Sequence, residues 1–142
     1  MYEARKLFKI EYAHQLTSAF STCCMDSIHG HSGEIEVLLH TSTLDGDGMC
    51  MDFGEIKHKI GKIVQQWDHA LIMPNELPSD YLSMLKKYNK NLFVVSYNPT
   101  AENMAKDLYY RIQSVLGKSV VKVIFHETKT GYASYFEPCS CE

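Results

Sequence analysis

Two segments of the chain alternate apolar and polar side chains with a period of two, a pattern that only an extended strand sorts onto separate faces. In Leu7–His14, Phe8, Ile10, Tyr12 and His14 share one parity while Lys9 and Glu11 take the other. In His29–Leu39, Ile35, Val37 and Leu39 share a face and Glu34, Glu36 and Leu38 oppose them. Each reads as a half-buried strand, and a polar, Ser/Thr-rich loop joins them. An apolar sheet face needs a cover, and two helical stripes supply it. Phe53, Ile56, Ile60, Ile63, Val64 and Trp67 form the first, backed by Lys57, Lys59, Lys62 and Gln66. Met104, Leu108, Ile112 and Val115 form the second, with Thr100 as N-cap and Gly117 as stop.

The remaining segments fit around this frame. Leu44–Gly48 is a turn rich in Asp and Gly, Pro74 and Pro78 punctuate a loop, and Tyr81–Tyr88 suits a short helix. Asn91–Ser96 suits a short strand, and Ser119–Glu127 and Tyr132–Glu137 read as two strands around Thr130-Gly131. The order predicts a single α+β domain over 1–142, with two main helices on one face of a largely antiparallel, four-stranded sheet.

Bulk properties narrow the function. A formal net charge of −3 argues against a nucleic-acid partner, which a basic face would announce. No apolar run approaches the roughly 20 residues that span a bilayer, so no membrane partner is expected. The start, MYEARKLFKIEY, has no signal-peptide pattern, which points to the cytoplasm. Cys23, Cys24, Cys50, Cys139 and Cys141 are odd in number and partly adjacent, so they read as thiols, not as a disulfide framework.

His29-Gly30-His31 places two imidazoles on the same side of a strand, close enough to share one ion. The pair alone is more often the mark of two ordinary core or surface histidines. His14 ends the other alternating strand on its apolar parity and completes three ligands if the strands pair. Three histidines with an open fourth position is the pattern of catalytic zinc. Asp68-His69 follows the first helix, where a carboxylate can orient an imidazole for proton transfer or simply cap the helix. Cys23 and Cys24, just before the histidines, are either small buried groups or a thiol whose pKa a nearby cation lowers. Glu127 ends a strand with Val121, Val123 and Phe125 on its parity, as an ion-pair partner or a ligand anchor.

In order along the chain these pieces are Phe8-x-x-x-x-Ala13-His14, the cysteine loop, His29-Gly30-His31, Gly48-Met49-x-x-Asp52-Phe53, Asp68-His69, Pro99-Thr100-Ala101-Glu102-Asn103 and Glu127-Thr128. Together they resemble the 6-pyruvoyltetrahydropterin synthase and 6-carboxytetrahydropterin synthase family of tunnelling-fold enzymes. The resemblance implies Zn2+ on His14, His29 and His31, and a catalytic thiol at Cys24 or its neighbour Cys23. It implies an acid–base pair in Asp68 and His69, a pterin-gripping carboxylate in Glu127, and a pocket shaped by Thr100 and Glu102 across a subunit boundary. The assembly it implies is a homotrimer or homohexamer, strands curled into a barrel, with active sites between subunits. The implied reaction takes 7,8-dihydroneopterin triphosphate to 6-carboxy-5,6,7,8-tetrahydropterin, releasing acetaldehyde and triphosphate, as in queuosine biosynthesis. The pyruvoyl branch, which keeps the carbon skeleton, stays open, as does a pterin- or metal-binding relative without turnover. The compact loop between His14 and His29 favours the carboxy branch. Two departures stand out. Gly33 occupies a position where the family usually has an aromatic residue, and Cys24 and Cys23 precede His29 by five and six residues.

Overall fold

The structure is a computed structural model describing residues 1–117 and 120–138. Ser119, the expected start of a strand, and Cys139 and Cys141 lie outside the described residues. Strand β1 (Tyr2–His14) pairs antiparallel with β2 (His29–Thr41) along their full length, Tyr2 opposite Thr41 and His14 opposite His29. Helix α1 (Thr22–Met25), a single turn that the sequence did not announce, sits in the loop between them. Strand β5 (Val120–His126) extends the sheet antiparallel to β2, and β6 (Tyr132–Tyr135) pairs antiparallel with β5.

On the other side of β1 the sheet grows differently. Strands β3 (Ala70–Pro74) and β4 (Leu92–Val95) both add in parallel, giving the order β4-β3-β1-β2-β5-β6. The expected four-stranded antiparallel sheet is therefore corrected to a mixed sheet of six. The strand without a sequence signal is β3. Its residues Ala-Leu-Ile-Met-Pro are almost all buried, so they carry no alternation, which is how an inner parallel strand reads.

Helices α2 (Phe53–Gln65) and α4 (Ala101–Leu116) cover the apolar face, while α3 (Ser79–Tyr88) buries no residue. Asp52 caps α2, its carboxylate accepting from the backbone N–H groups of Gly54 and Glu55. Thr100 caps α4 as expected, accepting from Asn103 N. Ile56, Ile60 and Val64 of α2 meet Ile10, Ile35, Val37, Leu39, Val123 and Phe125 of the sheet, and Met104, Leu108 and Ile112 of α4 close the same core. Trp67 is fully buried, edge-on to Phe93 and Phe125. Two expected core residues are not in it: Phe53 is 54% exposed and Val115 43%. Both sit one step off the centre of their stripes, at a helix start and a helix end.

Candidate active site

The β1–β2 register decides where the histidines meet. His14 faces His29 across the ladder and Tyr12 faces His31, so all three imidazoles stand at one end of the helix-covered face. Their ligand nitrogens lie within 4.8 Å of one another. His14 Nδ1 lies 2.9 Å from the Pro99 carbonyl oxygen and His29 Nδ1 lies 3.2 Å from that of Ser27. A carbonyl only accepts, so each Nδ1 carries the proton and each Nε2 presents a lone pair. Those two Nε2 atoms face each other at 3.0 Å, an arrangement that repels unless a cation lies between them. His31 Nε2 is buried without a hydrogen-bond partner. Glu127 Oε1 approaches His14 Nε2 to 3.4 Å and His31 Nε2 to 3.5 Å. Convergent imidazole lone pairs, oriented from behind by backbone carbonyls, fit a divalent metal ion. Burial, with the charge of His29 adding, holds the His14 pKa down to about 4 against the opposing Pro99 bond. Burial likewise lowers that of His31, against the pull of Glu127. The neutral ring is the form that binds metal.

Asp68 and His69 do not join this cluster in the same chain. His69 follows α2 in a left-handed conformation, φ +57°, uncommon for a residue with a side chain. Glu11 pins it from both sides, its carbonyl accepting from His69 N at 2.5 Å and its N–H donating to Asp68 Oδ1 at 2.9 Å. The Asn91 amide donates to the carbonyls of Asp68 and His69 at 3.3 and 3.0 Å. The ring is turned outward, its side chain 76% exposed, with Nε2 3.8 Å from Asp68 Oδ1, beyond a hydrogen bond. With Glu11, Ala13, Gly30 and Ser32 it lines a cleft of about 400 Å³. Those strand residues have the parity opposite to His14 and His31 and place most of the cleft on the other side of the sheet, although Tyr12 and His31 also border it.

The thiols sit on α1. Cys23 is exposed and Cys24 half-buried, with their sulfurs 3.8 Å apart and the Ser21 hydroxyl 2.8 Å from Cys23 Sγ. The Ser21 contact, then that of Cys24, lowers the Cys23 pKa. For Cys24 the Ser21 contact also pulls down, but burial, Cys23 and the charge of Glu127 outweigh it and push the thiol up. His69, across the sheet, cannot lower the pKa of Cys24 in its own chain. The loop itself is tethered: Leu16 N donates to Cys24 O, Thr17 N to Asn98 Oδ1, and the Asn98 amide to Ser18 O. Of the Pro99–Asn103 segment, the Thr100 hydroxyl is taken up by capping and Glu102 is exposed in the first turn of α4.

Sequence reasoning missed Pro99, Ser27, Asn91 and Tyr12. Pro99 and Ser27 act through main-chain carbonyls, which every residue possesses, so no side-chain pattern marks them. Tyr12 had a usable signal: it lies two residues before His14 on the same face, and its ring packs against both His14 and His31.

A family model described as 6-pyruvoyl tetrahydropterin synthase matches residues 3–138. The chain is 30% identical to the 6-carboxy-5,6,7,8-tetrahydropterin synthase of Helicobacter pylori strain J99, covering 93% of this chain and 71% of that one. It is 32% identical to the enzyme of the same description from Aquifex aeolicus, over 78% and 75% of the two chains. Among solved structures, a Wolinella succinogenes protein superposes with a TM-score of 0.82 at 22% identity, covering 96% of this chain and 98% of that one. The 6-pyruvoyl tetrahydropterin synthase of Caenorhabditis elegans gives 0.72 at 21%, covering 96% of each. These two likenesses establish the fold.

Proposed function

The chain belongs to the 6-pyruvoyl tetrahydropterin synthase family, and from that premise we propose that it is a zinc-dependent lyase of the carboxy type. The proposed reaction takes 7,8-dihydroneopterin triphosphate and water to 6-carboxy-5,6,7,8-tetrahydropterin, acetaldehyde and triphosphate. The observation that carries this reading is the meeting of three imidazole nitrogens with the Glu127 carboxylate at one end of the sheet. The description shared by the relatives at 30% and 32% identity favours the carboxy branch over the pyruvoyl branch.

Zinc on His14, His29 and His31 supplies a Lewis acid for the hydroxyl oxygens of the substrate side chain. Glu127 accepts hydrogen bonds from the guanidine-like edge of the pterin. Cys24, half-buried on the tethered loop, removes a carbon-bound proton. Asp68 and His69 handle protons from the other side, and Thr100 and Glu102 shape the pocket wall. Because His69 faces away from its own histidine cluster, it serves the cluster of a neighbouring copy. A homotrimer, or two trimers stacked as a hexamer, brings the two faces together. We assign the protein to the cytoplasm.

The test is direct. Purified protein with one equivalent of zinc is incubated with 7,8-dihydroneopterin triphosphate, and products are resolved by mass spectrometry. Acetaldehyde and the 6-carboxy pterin are expected in equal amounts. A pyruvoyl product would move the chain to the other branch, and unreacted substrate would reject the enzyme reading.

A further inference from the structure

Tyr12 stands on the inward face of β1, buried among the residues of the site. Its ring is edge-on to His14 with centroids 5.2 Å apart, tilted against His31 at 5.5 Å, and edge-on to Phe125 at 5.5 Å. Gly33 makes room for it. A Cβ there would come within 3.0 Å of Tyr12 Cε1 and 3.1 Å of the His126 carbonyl oxygen, so the ring occupies space that any other residue at 33 would contest. The Glu34–His126 pair fixes Gly33 beside the point where the chain leaves β5 for Glu127. The ring edge therefore reaches Gly33 of β2, beside the last residue of β5 before Glu127.

The tyrosine hydroxyl is buried and has no hydrogen-bond partner. Leaving a donor in that state carries a desolvation cost that a merely space-filling phenylalanine would avoid. Glu127 follows His126, whose carbonyl lies beside that ring at Gly33, and its carboxylate stands at the same imidazoles that the ring packs against. Its Oε1 sits beside the Nε2 atoms of His14 and His31. Once those lone pairs are committed to a cation they offer the carboxylate no hydrogen, and it needs another donor. We propose that Tyr12 is a positioning residue: its hydroxyl donates to Glu127 and holds that carboxylate in the orientation that receives the substrate. This rests on the assignment of Glu127 to the pterin.

A double-mutant cycle separates the possibilities. Tyr12→Phe, Glu127→Gln and the double variant are compared with the parent for KM and kcat, zinc content, melting temperature and fluorescence-measured affinity for 6-carboxypterin. Tyr12→Phe is expected to raise KM by about 10- to 150-fold, the range of one hydrogen bond to a charged group. Its kcat, zinc and melting temperature should stay near those of the parent. In the Glu127→Gln background the same change should add almost nothing. Unchanged KM, effects that multiply in the double variant, or loss of zinc or thermal stability in Tyr12→Phe would each overturn the proposal. If the parent binds 6-carboxypterin but does not turn over, the enzyme reading fails, and the cycle is read in dissociation constants. If the parent does not bind 6-carboxypterin either, both fall.

Discussion

The histidine end of β1–β2 and the corner at Asp68–His69 stand back to back across one sheet, and they are held in different ways. His14 is wholly buried, and backbone carbonyls fix it and His29 from behind. At the corner the backbone is clamped by Glu11 and Asn91, but the His69 ring is free in solvent. The first region is complete within one chain. The second has a rigid stem and an unengaged head, as the proposed service to a neighbouring copy requires. Metal ligands tolerate little misplacement and are built into the core, whereas a proton-transfer group offered across an interface has only to be aimed.

The strongest test of this contrast removes a ligand. His31→Ala should lose its zinc and essentially all activity, while the parent carries close to one zinc per chain by atomic absorption. Retained zinc would dissolve the distinction between a preformed centre and an incomplete corner. Next in size, Cys24→Ala and His69→Ala should each lose roughly 10²- to 10⁴-fold in kcat with zinc retained. Co-refolding these two inactive variants sharpens the comparison. If the corner serves a neighbour, random assortment around a closed ring restores about a quarter of the sites. Activity no higher than that of the separate variants would place both groups in one chain's site. Glu127→Gln should weaken substrate by about 1.5–3 kcal/mol in kcat/KM with the fold intact, as for hydrogen bonds to a charged group. The smallest effect concerns reagent access. In metal-free protein Cys23, whose pKa is lowered, should react with iodoacetamide a few-fold faster than Cys24, whose pKa is raised. Zinc loading should narrow or reverse that order, as read by peptide mass spectrometry.

Much of this was legible in the sequence because it depended on side-chain pattern. Ile10, Ile35, Val37 and Leu39 reported the inward face by parity, and the same parity placed His14, His29 and His31 on it. The capping of α4 by Thr100 followed from residue type. What stayed hidden depended on the main chain or on neighbours. The all-apolar β3 has no period to read, so the parallel half of the sheet was invisible. The adjacency of Asp68 and His69 carried no sign that the pair would face away from the histidines, because that follows from a backbone turn at φ +57°. The short α1, whose residues are all partly or fully exposed, left no apolar stripe.

The bond from His14 Nδ1 to the Pro99 carbonyl joins positions 85 residues apart. All three ligands are synthesised long before the segment that orients the first of them. A growing chain short of Pro99 therefore has the imidazoles but not the fixed tautomer of His14, and closing so long a loop is among the slower events of folding. If the histidines take up an ion as proposed, its capture is coupled to the docking of α4. Zinc should slow hydrogen exchange in the first turn of that helix, although no residue of the helix is a ligand.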